Sequence, residues 1–132
     1  MSSYIINKDG YIIRPMMLKD VNNYLLNYHY SKQERNMHYR NYKTFIEKRT
    51  YEDSDLLFVV LKDNKIIGEI STQSLQDAPW DASVRIILPY KIEFWEEVKK
   101  VFVELCKDVF LYDNIYILPS RMFGKIEKVV IA

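Results

Sequence analysis

The chain has 132 residues, 48% of them hydrophobic and 28% charged, which predicts one folded domain over residues 1–132 and excludes a disordered chain. Its formal net charge of +1 supplies no overall field toward DNA or a membrane surface. A single cysteine excludes an internal disulfide and favours a cytoplasmic protein, and no apolar run is long enough to predict a membrane span.

The chain begins with the pattern of a short β-hairpin. Asp9 and Gly10 form a typical tight-turn pair between two apolar runs, residues 4–6 and 11–14. Pro15 ends the second of these strands, because proline has no N–H to give to a sheet.

Two helical patterns follow. In the first, Asp20 lies near the helix start, where its charge suits the helix dipole. The apolar face of this first helix repeats at i, i+3, i+4 and i+7 through Val21, Tyr24, Leu25 and Tyr28. A second, short helix is indicated by the spacing of Tyr42, Phe45, Ile46 and Arg49.

The clearest β signal comes next. An apolar, β-branched run over 56–62 and a second run over 65–73 flank the turn pair Asp63-Asn64, so we expect a hairpin. Residues 77–81 contain Pro79 and are predicted to form a loop. Another strong strand is predicted over 82–88.

A long amphipathic helix and two short strands complete the pattern. The apolar face of the helix is formed by Phe94, Val98, Val101, Phe102, Leu105 and Val109. Strands are predicted over 114–118 and 126–131. This order of elements indicates an α+β or α/β fold around a central sheet.

Three segments in this order resemble the GNAT superfamily, the acyl-CoA-dependent N-acyltransferases. They are residues 12–20, with the Ile-Ile-Arg-Pro step, residues 58–70, with the Ile-Ile-Gly step, and residues 83–110. The resemblance implies an α+β domain with a mixed, mostly antiparallel sheet flanked by helices. It also implies that acetyl-CoA is the acyl donor and that a primary amine is the acceptor.

Two departures from the family pattern would make the chain a divergent and C-terminally shortened example of it. The family's pyrophosphate-binding loop is rich in glycine, but the matching residues 88–94 contain none. After the fifth strand of the family pattern, only residues 119–132 remain in place of a tyrosine-bearing helix and two strands. Neither Tyr112 nor Tyr116 lies where the family's tyrosine acid is found.

The resemblance also suggests site residues. Removal of a proton from the acceptor amine requires a base, and Glu69 and Asp81, in or beside central strands, are the candidates. The alternative is that both are solvated carboxylates at strand ends. Backbone N–H groups of Ile87 and Leu88 would meet the thioester carbonyl and pantetheine, and Lys91 would contact a phosphate.

Other reactive residues fit simpler explanations. His29 and His38 are nine positions apart without an acidic or cysteine partner at ligand spacing, so we expect no metal site. Cys106 lies on the apolar face of the long helix and is interpreted as a buried hydrophobe. Residues 28–51 carry a net charge of +4 among tyrosines, which suits a wall of the acceptor cleft, an acidic protein partner or a solvated helix face, and nucleic acid least.

Two functions remain open from the sequence. One is direct acetyl transfer from acetyl-CoA to a primary amine on a small molecule or protein. The other is a catalytically degenerate GNAT-like domain that acts by protein interaction or self-association, for example as a homodimer paired through its C-terminal strand.

Overall fold

The computed structural model describes residues 5–48, 55–120 and 124–132. Its strands are β1 (Ile6–Lys8), β2 (Tyr11–Pro15), β3 (Leu57–Lys62), β4 (Lys65–Leu75), β5 (Ala78–Ile87), β6 (Asn114–Ile117) and β7 (Glu127–Val130). Its helices are α1 (Leu18–Leu25), α2 (Lys32–Lys48) and α3 (Trp95–Val109), and a single 3₁₀ turn, Ile92–Phe94, precedes α3.

The seven strands form one sheet in sequential order from β1 to β7. Every neighbouring pair is antiparallel except β5 and β6, which run parallel. The α3 helix connects these two, as a crossover between parallel strands requires. The prediction of a mixed, mostly antiparallel sheet flanked by helices is thus confirmed.

Both predicted hairpin turns have the left-handed backbone that a two-residue turn demands. Asp9 and Gly10 have φ of 55° and 81°, and Asp63 and Asn64 have φ of 50° and 67°. Two consecutive residues with positive φ match the twist of antiparallel strands, which explains why Asp, Asn and Gly occupy these positions.

Helix α3 covers one face of the sheet over the larger of the two apolar clusters. Val98, Phe102 and Leu105 are at most 1% exposed and pack on strand residues such as Phe58. Trp95 anchors the start of α3, because its indole N–H donates to the Ile86 carbonyl at 3.3 Å. Cys106 is buried, as expected, and burial raises the pKa of its thiol to about 12.

Helices α1 and α2 lie on the opposite face over a smaller apolar cluster. The start of α1 is fixed by Asp20, whose carboxylate accepts hydrogen bonds from the Met17 N–H and from both terminal nitrogens of Arg14. Burial acts to raise the pKa of Asp20, but the hydrogen bonds from Arg14 and Met17 outweigh it and lower the pKa.

Two of the boundary predictions that were wrong concern β5 and α2. Residues 77–81 are not a loop, since β5 begins at Ala78, which pairs with Leu75 across the sheet. Pro79 is tolerated in this strand because the register of β4 and β5 shifts between Ser74 and Leu75. The second helix is also not short, because α2 extends over 17 residues from Lys32.

The early start of α2 has a cause that is visible in the sequence. The Ser31 hydroxyl accepts a hydrogen bond from the Glu34 N–H, and the Glu34 carboxylate accepts one from the Ser31 N–H. This reciprocal pair is the capping box S-x-x-E, which stabilises a helix start. The predicted contribution of Arg49 lies outside the described residues.

The last strand prediction is confirmed by β7, which pairs antiparallel with β6. Between these strands, residues 118–120 and 124–126 contain no helix. Within the described ranges no helix is long and apolar enough to cross a membrane.

Candidate active site

Strands β5 and β6 pair over only part of their length. Their register runs from Asp81 opposite Asn114 to Val84 opposite Ile117, and the last bond joins the Leu118 N–H to the Val84 carbonyl at 2.9 Å. Pro119 follows and has no N–H with which to continue the ladder. The strands therefore separate beyond this point.

A cleft of about 620 Å³ occupies the space where they separate, and we call it the β5/β6 cleft. One wall consists of residues 85–88 at the end of β5 together with Ile92. The other wall is formed by residues 118–120, Gly124 and Ile126. The lining is mainly aliphatic, with Arg85 at one side.

Glu69 lies one strand away from this cleft. It pairs directly with Ile87, a residue of the cleft wall, so the two side chains share a face of the sheet. That face is the one covered by α1 and α2, because the Glu69 carboxylate contacts Tyr24 of α1 and Tyr42 of α2. Glu69 is only 6% exposed.

The two oxygens of Glu69 have different surroundings. Oε1 accepts hydrogen bonds from the Tyr24 hydroxyl at 2.9 Å and the Tyr42 hydroxyl at 2.6 Å. No described residue donates to Oε2, yet no side-chain oxygen in the described ranges is both fully buried and unpaired. Oε2 therefore reaches solvent-accessible space, while Oε1 is held in place.

The electrostatic environment favours the protonated form of this carboxyl. Burial raises the pKa of Glu69, and the hydrogen bonds from Tyr42 and Tyr24 and the charge of Arg85 only partly oppose that effect. A carboxylate with a raised pKa is a better proton acceptor near neutral pH than a solvated one.

The hydroxyls around Glu69 form a short chain that we call the tyrosine cluster: Tyr24, Tyr28 and Tyr42. Because Tyr24 donates its proton to Glu69, it accepts one from the half-buried Tyr28 hydroxyl at 2.8 Å. Tyr28 lies beyond the end of α1, although the sequence pattern had placed it on the helix. Edge-to-face packing of the Tyr24 and Tyr42 rings joins the two helices.

Gly68 permits the close approach of β4 and β5 beside Glu69. A Cβ at this position would lie 2.2 Å from the Ile87 carbonyl oxygen and 2.5 Å from Leu88 Cδ2. No other residue fits there without moving the end of β5, so glycine is required by contact between strands.

Asp81 lies elsewhere and makes different contacts. It is six residues along β5 from Ile87, the partner of Glu69, which is about 20 Å at the rise of a strand. Its Oδ1 accepts hydrogen bonds from the backbone N–H and the side-chain amide of Asn114, both at 3.1 Å. The structure therefore gives Asp81 a role in fixing the start of β6 and does not bring it together with Glu69.

The alternative interpretation of both carboxylates as solvated is wrong, because Glu69 and Asp81 are 6% and 8% exposed. The sequence did not reveal the tyrosine donors to Glu69. Tyr24 and Tyr42 each lay on a recognised helical pattern, but nothing in the spacing indicated that their hydroxyls converge on β4.

The predicted cofactor contacts divide between two places. Ile87 and Leu88 line the β5/β6 cleft, whereas Lys91 lines a separate cleft beyond the turn. At the start of α3, Glu96 and Glu97 occupy the first turn. These acids suit the helix dipole but disfavour a pyrophosphate at the helix N-terminus.

The two histidines contact aromatic rings. His38 stacks on Tyr30 with ring centroids 4.4 Å apart, and His29 lies 5.7 Å from Tyr90. Among the described residues no group of His, Cys, Asp and Glu has the arrangement of a metal site.

No family model matches the sequence, and no curated protein aligns with it significantly. Solved structures do match. RimJ from Mycobacterium smegmatis in complex with CoA-disulfide has a TM-score of 0.65 and 10% identity, covering 85% of this chain and 64% of that one.

Spermidine N-acetyltransferase from Vibrio cholerae, in complex with CoA and spermine, has a TM-score of 0.57 and 14% identity, covering 83% of this chain and 71% of that one. A GNAT-family acetyltransferase from Streptococcus pneumoniae has a TM-score of 0.54 and 13% identity, covering 81% of this chain and 73% of that one.

The fold is that of acetyltransferases. More particularly, it is the GNAT fold, as the resemblance had implied, and the low identities make the chain a divergent example. The chain spans 64% of the length of the RimJ structure.

Proposed function

We propose that the protein is an N-acyltransferase that moves an acyl group from acyl-CoA, with acetyl-CoA as the simplest donor, to a primary amine. The observation that carries this proposal is the position of a buried carboxylate, Glu69, directly across one strand pair from the open β5/β6 cleft. A donor arm and a base are thereby available at one point of the sheet.

In this proposal the pantetheine arm of the donor occupies the β5/β6 cleft. The mainly aliphatic lining of this cleft suits a thin, mostly apolar arm. Leu88 lies on the cleft wall, where its backbone N–H would contact the thioester carbonyl or a pantetheine amide. The Ile87 carbonyl faces Gly68 on β4, so the N–H of this extended residue also points to β4 and away from the cleft. When bound, the donor supplies an activated acyl thioester.

Glu69 would act as the general base, with Oε2 as the accepting atom. An ammonium group gives its proton to Oε2, and the free amine then forms a C–N bond with the acyl carbon. The C–S bond breaks, the thiolate sulfur leaves with the electron pair, and one proton from the nitrogen yields the thiol. Direct attack of this kind needs no covalent acyl-enzyme.

The tyrosine cluster would hold this base in position. Two hydroxyls on Oε1 fix the carboxylate plane and leave Oε2 open to the acceptor or to one water molecule. The hydroxyl chain from half-buried Tyr28 through Tyr24 donates toward Oε1, so the accepted proton leaves from Oε2, which reaches solvent.

The acceptor would approach from the side of α1 and α2. The Vibrio structure contains spermine, but α2 carries five basic and two acidic residues, which disfavours a polycationic acceptor beside it. We therefore propose a primary amine on a neutral or acidic small molecule, or on a protein.

Donor binding is tested by calorimetric titration of acetyl-CoA. We expect binding by the wild type and its loss in Ser120→Trp, which fills the β5/β6 cleft, with Thr44→Trp on exposed α2 as the matched control. Failure of the wild type to bind at millimolar acetyl-CoA would overturn the proposal.

A second candidate function is a degenerate GNAT domain that acts by association. It is favoured by the glycine-free residues 88–94 and by the acids at the start of α3. The outer edge of β7 is available for pairing with a second copy, and Val130 on this strand is 59% exposed. Light scattering that finds only monomer would exclude the dimer form of this proposal. Detectable acetyl transfer by the protein would exclude a catalytically degenerate domain.

A further inference from the structure

A second cleft, of about 480 Å³, lies on the other side of the turn between β5 and α3. Its lining includes Lys62 at the end of β3, Lys65 at the start of β4 and Lys91 in the turn, so we call it the lysine cleft. Asp63 is the one carboxylate on the lining among the described residues. The cleft therefore carries an excess of positive charge.

Two of these lysines are neighbours in the sheet. Lys62 and Lys65 are directly opposite each other across the β3–β4 hairpin, where like charges destabilise a strand pair. None of the three lysines makes an ion pair with a described carboxylate. An anion between them would remove this repulsion.

Aromatic side chains flank the same space. The Lys62 ammonium lies 4.2 Å from the Tyr11 ring centroid and 5.2 Å from that of Phe94, which positions it on an apolar wall. Phe94, Ile66 and Ile67 line the cleft, and the ring of Tyr90 beside Lys91 is 56% exposed. A ligand that combines a negative group with a flat or apolar group would match both parts.

We propose that the lysine cleft binds a phosphate-bearing small molecule with an aromatic ring, such as a nucleotide. The lysines take the phosphate oxygens as point charges, and the ring packs against Tyr90 and Phe94. The phosphates can belong to the CoA donor, whose usual position at the start of α3 is unfavourable here, or to a separate nucleotide.

ADP and inorganic pyrophosphate are the probes, titrated by calorimetry at low ionic strength. We expect the wild type to bind both probes. The single substitutions Lys65→Gln and Lys91→Gln should each lower the affinity for either probe by about 5-fold. The triple variant with Lys62→Gln should not bind. Lys19→Gln on α1 and Lys107→Gln on α3 remove the same charge at exposed positions and should change affinity less than about 2-fold.

Tyr90→Ala should lower the affinity for ADP but leave the affinity for pyrophosphate unchanged, since only ADP has an aromatic ring. Amide chemical-shift changes of Tyr90, Lys91 and Lys65 on adding ADP give a second measurement that needs no variant. No binding at millimolar ADP, or equal losses in the Lys19 and Lys107 controls, would overturn the proposal.

Competition distinguishes the two sources of phosphate. Displacement of ADP by acetyl-CoA assigns the cleft to the donor, and simultaneous binding assigns it to a separate ligand; either result upholds the site. ADP binding without any acetyl-CoA binding would retain this site while overturning the proposed acyl transfer.

Discussion

The two faces of the sheet are built for different purposes. On the α3 face, buried residues are almost entirely apolar, and Phe102, Leu105 and Ile115 are at most 1% exposed. On the α1/α2 face, the strands carry the buried carboxylate of Glu69, and α2 contributes no fully buried residue over its described length.

The two faces of the sheet differ in how much apolar and how much polar surface they bury. The larger of the two apolar clusters lies on the α3 side, so most of the apolar burial among the described residues is found there. The opposite side can then accommodate a desolvated carboxyl group and partly exposed tyrosines, which a small core would otherwise not tolerate. Substitutions on the two faces should therefore affect different measurements.

The largest effect is expected from Phe102→Ala on the α3 face. This ring is fully buried and packs edge-to-face on the Phe58 ring, with the two ring centroids 5.5 Å apart. Its removal leaves a cavity and should lower the free energy of unfolding by about 3–5 kcal/mol. Urea denaturation measures it. Phe110→Ala, at a ring that is 75% exposed, is the control and should change stability by less than about 0.5 kcal/mol.

Glu69→Gln is the corresponding change on the other face. It keeps the shape and the tyrosine hydrogen bonds but removes the base, so acyl transfer should fall by about 100-fold or more. Folding should be retained, because a buried ionisable group is replaced by a neutral one. Wild-type kcat/KM in this variant would contradict the role of Glu69.

Gly68→Ala tests the contact between β4 and β5. The added Cβ would lie 2.2 Å from the Ile87 carbonyl oxygen, and the required shift should destabilise the fold by about 1–3 kcal/mol. Because Ile87 lines the β5/β6 cleft, acetyl-CoA affinity should fall as well. Exposed Gly124→Ala provides the control for stability, and equal melting of the two variants would contradict the contact.

Tyr42→Phe removes one hydrogen bond to Glu69 Oε1 and should cost about 1–2 kcal/mol of stability. This hydrogen bond lowers the pKa of Glu69, so its loss should move the acid limb of the kcat/KM profile to higher pH. Tyr39→Phe is the control. Tyr39 lies on the same helix, and no described residue forms a hydrogen bond with its hydroxyl, so this substitution should leave the pH profile unchanged.

The smallest effect is the pH dependence of stability. Because burial raises the pKa of folded Glu69 above 4.5, the folded state holds the proton more strongly than the unfolded state. The stability difference between wild type and Glu69→Gln should therefore fall as pH rises from about 4 to about 7. Urea denaturation of both proteins across this range measures it, and a constant difference would contradict a raised pKa.

Much of the fold could be predicted from local signals. The turn pairs Asp9-Gly10 and Asp63-Asn64, and the apolar face of α3, each determine structure through nearby residues. The start of β5 could not be predicted, because Pro79 indicates a loop locally and is tolerated only through a register shift with β4.

The site was less accessible to sequence reasoning. Glu69 could be selected as a candidate because it follows Gly68 in a strong strand pattern. Its burial depends on Tyr24 and Tyr42, which are 45 and 27 residues away in sequence, so no local pattern reveals it. Asp81 was a candidate because it precedes a predicted strand, yet its partner is Asn114 on β6.

We propose above all that acyl transfer takes place on the α1/α2 face of the sheet, at Glu69 beside the β5/β6 cleft. The most direct test measures acetyl transfer from acetyl-CoA to a panel of primary amines by mass spectrometry, with wild type and Glu69→Gln compared at equal acetyl-CoA saturation. The account predicts acetylated product from the wild type and about 100-fold less from the variant. Equal product from both proteins, or none from the wild type with any amine, would contradict it.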